Sequence, residues 1–331
     1  MLNKKKNNIV NIIIKALLFF LLLYVIYRQI FIDNDPAVML DEFLFSLKNS
    51  NPLYLVLAFV LLIFNIVFEA LKWRYLVSFF AKISLLTSIK TVLVGIAMGI
   101  VTPARFGEYF GRVLLLDAKD NWKGAWANFI SSIAQSLATL FFGVIGLSFL
   151  APLLFDEPPE HLSFYILFAG FTLFLFLLYF YYHIDIALKI ASKIGLKKIT
   201  AKIETGNGQI SGKYGIKILN KVLILAFLRY MVFSVQYFLV LTFFGIRSKG
   251  LGLFYAVFTI FLIQTGIPLP GITDLFARSE IAILVLQHIT TNKIMILSST
   301  FSLWIINLLI PAVIGMILIS GINITKSYGY E

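Results

Sequence analysis

The sequence predicts an all-α polytopic membrane protein with six full spans and two broken or re-entrant helix hairpins. Three observations lead there: 60% of the 331 residues are hydrophobic, only 13% are charged, and apolar runs recur along the chain. The mean hydropathy is +0.92, and a hydrocarbon core about 30 Å thick takes about 20 helical residues to cross. This composition excludes a soluble enzyme.

The charge and the cysteine count narrow the function classes further. The chain has a formal charge of +12, no cysteine and three histidines. In a membrane protein, lysine and arginine set the topology and meet anionic lipid, so we predict no nucleic-acid partner. Without thiols or clustered imidazoles, we predict no redox or zinc chemistry and no cofactor.

The apolar runs give the elements in order. The run from Ile9 to about Tyr27 follows three lysines and resembles a secretory signal, but no small-residue cleavage site follows it, so we interpret it as an uncleaved first span. Further runs cover residues 51–71, 91–103, 124–154, 161–182, 221–245, 252–268, 274–287 and 294–320. The runs 91–103 and 274–287 are too short to cross alone, and 252–268 ends in a Pro-Leu-Pro-Gly sequence that should break a helix.

The charges between the runs set the orientation. Acidic residues before Asn51 and around 156–160 predict external loops, whereas the basic residues Lys72, Arg74, Lys82 and Lys90 predict an internal one. These assignments agree only if segment 91–116 enters and returns on the cytoplasmic side. The basic connector 183–221 then lies inside, segment 252–287 forms a second hairpin from outside, and both termini are cytoplasmic. Eight full helices without re-entry is the competing topology.

This order makes the second half an inverted copy of the first. We predict one transmembrane domain over 1–331 with inverted halves 1–155 and 156–331. Inverted repeats with broken helices are typical of secondary transporters, whose sites lie near the midplane where the broken ends meet.

The first broken segment reads Gly99-Ile-Val-Thr-Pro-Ala-Arg-Phe-Gly-Glu-Tyr-Phe-Gly-Arg112. If residues 104–116 are helical, Arg105, Glu108 and Arg112 share one face and form a cationic stripe with one carboxylate. Pro103 suits the start of this helix. A phosphate head group is the expected ligand. The alternative is an interfacial helix whose charges snorkel into water.

The second broken segment runs from Gln264 to Glu280 and carries charges in apolar surroundings. Asp274 and Arg278 are four residues apart and predict an ion pair, while Glu280 points elsewhere. Charges at membrane depth usually face protein or a water-filled cavity. The alternative is a local stabilising pair with no substrate role.

Polar residues also occur inside the full spans. Asn128, Ser131, Ser132, Gln135 and Thr139 lie close to one helical face of run 124–154. Such groups often only join membrane helices, which is the alternative here. Arg229 needs a carboxylate or solvent, and Glu108 or Glu280 could be its partner. The remaining polar residues in spans are Glu69 with Asn65 one turn earlier, Gln264 and Asn307.

The two broken segments resemble paired motifs of one family, the lysylphosphatidylglycerol synthase transmembrane region or flippase-like domain. The resemblance covers essentially the whole chain and implies a bundle that, in full-length synthases, moves aminoacylated phospholipid between leaflets. The positions it carries over are Pro103, Arg105, Gly107, Glu108 and Arg112 from the first motif, and Pro268, Pro270, Gly271, Arg278 and Glu280 from the second. Ile272 follows Gly271 where the family has a second glycine, which weakens the second motif.

From these observations we predict a flippase-like protein of the cell membrane that binds an anionic phospholipid or lipid-linked substrate. Arg105, Glu108, Arg112, Arg278 and Glu280 are the candidate head-group residues. A polar cleft should support them through the side chains of Glu69, Asn128, Gln135, Arg229, Gln264 and Asp274. Only Asn323 to Glu331 follow the last span, so we expect no synthase activity. The alternatives are an accessory scaffold for lipid or lipid-linked glycan synthesis and an intramembrane transferase with Glu108 as base.

Overall fold

A computed structural model of the chain describes residues 2–28, 31, 35–102, 105–154, 157–193, 200–201, 203, 214–266 and 274–327. Within these ranges the chain is helical, with no strand. In chain order the helices are α1 Leu2–Tyr27, α2 Pro36–Asn49, α3 Leu53–Val77, α4 Leu85–Ile100, α5 Gly107–Val113, α6 Asn121–Leu150, α7 Leu162–Tyr182, α8 Asp185–Lys193, α9 Ile216–Phe243, α10 Gly252–Gly266, α11 Asp274–Leu286, α12 Lys293–Trp304, α13 Ile310–Ser320 and α14 Ile324–Ser327. A π-helical segment, Ile305–Leu309, joins α12 to α13.

Six helices in the described ranges are long and apolar enough to span a membrane, which confirms the predicted class. They are α1, α3, α6, α7, α9 and the continuous unit of α12, the π segment and α13. The chain is therefore a multi-pass integral membrane protein.

Two pairs of short helices lie between these spans. Helix α4 has 16 residues and α5 has seven, whereas α10 has 15 and α11 has 13. At 1.5 Å per residue even the longest measures about 24 Å, less than the roughly 30 Å of a hydrocarbon core. The short helices thus occur where the sequence predicts hairpins. The inverted relation between halves 1–155 and 156–331 stays a prediction.

Helices α4 and α5 pack together at backbone distance, and glycine makes this contact possible. A Cβ atom on Gly111 would lie 2.8 Å from the carbonyl oxygen of Val94 and 2.9 Å from the Cα of Gly95, and one on Gly107 would lie 2.1 Å from the carbonyl oxygen of Met98. Only glycine fits such an approach. The backbone N–H of Gly107 donates to Oγ1 of Thr102 at 2.7 Å.

The predicted helix over 104–116 is shorter in the structure. Helix α5 begins at Gly107, and Arg105 precedes it with a φ of 58°. The predicted helical extent is therefore wrong, because a left-handed residue lies outside the helical repeat, but the side chain of Arg105 still pairs with Glu108, which also pairs with Arg112. Pro103, Pro268, Pro270 and Gly271 lie outside the described residues.

Helix α2 was not predicted. It occupies the segment before Asn51 that we expected to be an external loop. Asp35 begins it, since its side chain accepts bonds from the N–H groups of Ala37 and Val38, and Pro36 stands at the first helical position. The acidic residues that indicated a loop are thus partly a helix cap.

The π segment has a local cause in Pro311. A proline at that position offers no N–H to the carbonyl of Asn307, four residues earlier, and its ring crowds the same carbonyl. The N–H of Ile310 bonds instead to the carbonyl of Ile305, five residues back. Such widened turns change which side chains face inward. Here the change falls beside Trp304 and Asn307, both of which line the cavity described next.

Candidate functional site

The site is built around the buried carboxylate of Glu69, on α3. Its side chain is 5% exposed. Oε2 lies 2.7 Å from Nζ of Lys72 and 2.7 Å from Nη1 of Arg229, and Oε1 lies 2.7 Å from Nη2 of Arg112. Ser131 also donates to Oε1 at 3.4 Å. One carboxylate therefore holds three cations that come from α3, α5 and α9.

A second carboxylate, Glu108, extends this cluster toward Arg105. Arg112 forms a short ion pair with Glu108 as well as with Glu69, and its side chain is only 2% exposed. Nη2 of Arg105 lies 3.3 Å from Oε2 of Glu108, and the Arg105 side chain is 38% exposed. The guanidinium of Arg112 also lies 5.8 Å from the ring centre of Trp73. Arg112 thus bridges the carboxylates from within the protein, whereas Arg105 stands at the edge.

Amide side chains fix the position of Arg229. Its Nε donates to Oδ1 of Asn65 at 2.7 Å, and its Nη1 donates to Oε1 of Gln135 at 3.2 Å. The same Gln135 oxygen accepts from Lys72 at 3.1 Å, and Asn65 donates to Oδ1 of Asn307 at 3.0 Å. Side chains on α3 and α6 therefore fix the orientation of the Arg229 guanidinium.

Three arginines line one cavity beside this cluster. It has an empty volume of about 720 Å³, counting its open mouth, and Arg105, Arg229 and Arg278 all contribute to its wall. Arg278, on α11, donates from Nη1 to Oε1 of Gln264, on α10, at 3.1 Å. The two short helix pairs thus meet the long spans at one polar site.

Polar side chains of Asn65, Glu69, Gln264, Thr300 and Asn307 also line the cavity, and the rest of the wall is apolar and aromatic. Its apolar lining consists of Leu62, Ile66, Val92, Ile96, Phe233, Tyr237, Phe261, Leu303, Trp304 and Leu308. Three buried donors on the lining residues have no hydrogen-bond acceptor among the described residues: Nε of Arg105, Nε1 of Trp304 and Nδ2 of Asn307. The cavity therefore combines donors and positive charge with an apolar wall.

Some residues from the sequence motifs lie away from this cavity. Glu280 is exposed and lines a different groove with Asp35 and Ser279. The backbone of Asp274 starts α11, but its side chain lies outside the described part of the chain. Asn128 is buried on α6, and its carbonyl accepts a bond from Ser132. Arg112 and Glu108 belong to the cluster behind the cavity wall.

The structure also corrects two expectations about charged residues, the partner of Arg229 and the location of Lys72. Arg229 pairs with Glu69, rather than with Glu108 or Glu280. Lys72, which the charge pattern placed in an internal loop, is 1% exposed inside α3. The sequence analysis missed this pair, although the spacing of three residues between Glu69 and Lys72 is a signal that would have indicated it.

The basic groups on the cavity wall are guanidinium groups. Guanidinium groups offer planar N–H donors that match phosphate and carboxylate oxygens. Within the described ranges, no three histidine, aspartate or glutamate side chains come together as metal ligands would.

The sequence matches a known family over most of its length. The model described as lysylphosphatidylglycerol synthase TM region matches residues 12–315. That range contains every described residue of the cluster and the cavity. No curated protein matches the chain.

Proposed function

Because the chain belongs to the lysylphosphatidylglycerol synthase TM-region family, we propose that it binds the anionic head group of a membrane lipid in its cavity and moves that lipid between leaflets. The family connects the chain with lipid handling in a membrane. The transport step and the anionic head group are the proposal.

A single observation carries this proposal: three arginines from different parts of the chain line one cavity at the level of the spans. Arg105 precedes α5, Arg229 lies on α9 and Arg278 lies on α11. Arginine inside a membrane protein is expensive unless an anion or a carboxylate compensates for it. Arg105 and Arg229 share the available carboxylates with other cations, which leaves donor capacity for a phosphate.

The apolar wall supports a lipid as the ligand. Phe233, Phe261 and Leu62 border the same space as the arginines. A head group can bind the guanidinium groups while the adjoining part of the lipid contacts these side chains. In this arrangement Arg105, Arg229 and Arg278 contact the ligand, and Glu69, Glu108 and Arg112 hold the arginines in place.

The orientation is part of the same proposal. We place the protein in the cell membrane with both termini cytoplasmic, since the basic residues Lys82, Lys90 and Lys119 and the basic connector would then lie on the cytoplasmic side. The α4–α5 pair would enter from that side, and the α10–α11 pair from the opposite side.

Translocation of fluorescent lipids in proteoliposomes tests the function. Lipids with labelled acyl chains and different head groups are reconstituted, and a membrane-impermeant reductant reports how fast each lipid reaches the outer leaflet. We expect wild type to move an anionic lipid faster than phosphatidylcholine. Arg105→Ala should lower the rate at least about tenfold, because one lost charge-assisted contact is equivalent to about 1.5–3 kcal/mol.

Arg74→Ala is the matched control, since Arg74 is exposed on α3. It should transport like wild type, and both variants should melt near the wild-type temperature. If Arg105→Ala moves every tested lipid at the wild-type rate, the cavity does not serve transport, and the scaffold alternative is favoured.

A further inference from the structure

The ion-pair cluster contains more positive than negative charge. Its contacts connect four basic side chains, those of Lys72, Arg105, Arg112 and Arg229, with two carboxylates, those of Glu69 and Glu108. When all six groups are ionised, a surplus of two positive charges remains. This surplus does not depend on Arg278, whose Nη1 donates to Gln264.

Water reaches little of three of the four basic side chains, while that of Arg105 is 38% exposed. The side chains of Lys72 and Arg112 are 1% and 2% exposed, and that of Arg229 is 19% exposed. An uncompensated charge in such surroundings is strongly destabilising, because the protein interior solvates it poorly. The surplus therefore favours a bound anion.

Of the four basic side chains of the cluster, two can contact such an anion in the cavity. Arg105 and Arg229 line it, whereas Lys72 and Arg112 do not. Arg105 is also the most exposed of the four, and its left-handed φ of 58° stores backbone strain of the kind that occurs at binding sites. A ligand at these two guanidinium groups would neutralise the whole connected cluster.

Building on the proposed function, we infer that the head group carries at least two negative charges. A terminal phosphate monoester or a diphosphate meets this condition. Its second charge matches the surplus, and neighbouring cations favour the second ionisation of a phosphate, which otherwise occurs near pH 6. A phosphodiester such as phosphatidylglycerol carries one charge and leaves one cation uncompensated. An aminoacylated phosphatidylglycerol with a net positive charge adds to the surplus.

We call the requirement for at least two negative charges on the head group the charge rule, and lipid binding in nanodiscs tests it. The full chain is placed in phosphatidylcholine nanodiscs at pH 8 with phosphatidic acid, phosphatidylglycerol or lysylphosphatidylglycerol of identical acyl chains, and ligand-induced stabilisation against heat is titrated. We expect phosphatidic acid to bind about tenfold more tightly than phosphatidylglycerol, and lysylphosphatidylglycerol to bind most weakly. A ratio below about threefold between the first two lipids overturns the inference.

Variants of Arg105 show whether the cluster causes the preference. Arg105→Gln lowers the surplus to one and should reduce the preference for phosphatidic acid to about twofold or less. Arg105→Lys keeps the charge and should keep the preference. If Arg105→Gln weakens the binding of both lipids by the same factor, the surplus of positive charge does not select the head group and the inference is wrong. Glu108→Gln raises the surplus and provides a second readout, an increased preference for phosphatidic acid.

Two further measurements distinguish a lipid from a soluble phosphate as the ligand, and distinguish failure of the charge rule from failure of the proposed function. Inorganic phosphate and pyrophosphate are titrated into nanodiscs of phosphatidylcholine alone. If they stabilise the protein and phosphatidic acid does not, the site binds a soluble oxyanion and the inference about a lipid head group is overturned. If phosphatidylglycerol is bound and moved as well as phosphatidic acid, the charge rule fails while the proposed transport stands. If no anionic lipid is bound or moved, both fail.

Discussion

Neutralising Glu69 should destabilise the protein more than any exposed carboxylate would. Glu69→Gln keeps the size of the side chain and removes the charge that faces Lys72, Arg112 and Arg229, each with an N···O distance of 2.7 Å. At an effective dielectric constant of 20, one such pair attracts by about 6 kcal/mol before desolvation is subtracted. The cluster would then have four cations for one carboxylate.

The net loss is smaller than this attraction, because the unfolded state recovers solvation. Removing one partner of a buried ion pair is typically destabilising by about 3–5 kcal/mol. At about 2 °C per kcal/mol for a large domain, we expect the melting temperature to fall by roughly 6–10 °C.

The measurement is a thermal melt of the purified protein in detergent, followed by tryptophan fluorescence. Glu160→Gln is the matched control, since the side chain of Glu160 is 90% exposed. Adding Lys72→Met to Glu69→Gln removes one excess cation and should recover part of the loss. If Glu69→Gln melts within about 1 °C of the Glu160→Gln control, Glu69 does not hold the cluster together and the reasoning is refuted.

Three other predictions follow from particular contacts. Gly111→Val should lower the melting temperature or prevent folding, because its Cβ would lie 2.8 Å from the carbonyl oxygen of Val94, whereas Gly215→Ala, with nothing within 4 Å, should melt like wild type. Asn65→Leu removes the acceptor 2.7 Å from Nε of Arg229 and should lose about 1–3 kcal/mol of stability, while Asn65→Asp should retain it; equal melts for the two variants would contradict this role. The chain has no cysteine, so single cysteines at Leu86 and Lys119, which are exposed, should both react with impermeant maleimide from the cytoplasmic side, and one at Glu160 from the other side. Labelling of positions 86 and 119 from opposite sides would show that the first short pair crosses the membrane.

Much of the architecture follows from local features of the sequence. Run length, helix breaks and the charges between the runs predicted six spans, because the length of an apolar run and the thickness of a bilayer are compared without reference to the rest of the chain. Glycine and proline predicted the interruptions for the same reason. Helix α2 was missed, since acidic residues such as Asp35 suit both a loop and a helix cap.

The composition of the site was also largely visible in the sequence. Polar and charged residues are rare in apolar runs, so Glu69, Gln135, Arg229 and Gln264 could be picked out one by one. Their rarity says that each needs a partner, but it does not say which one.

Only the tertiary structure decided the pairing. Arg229 and Glu69 are 160 residues apart, and they meet because α9 packs along α3. The same packing buries Lys72, places Arg112 behind the cavity wall and leaves Glu280 on another groove. The left-handed backbone at Arg105, which no helical spacing could indicate, brings its side chain to the cavity. The physical reason is that hydropathy and helix breaks depend on neighbours in the chain, whereas the compensation of a buried charge depends on which helix faces come together in space.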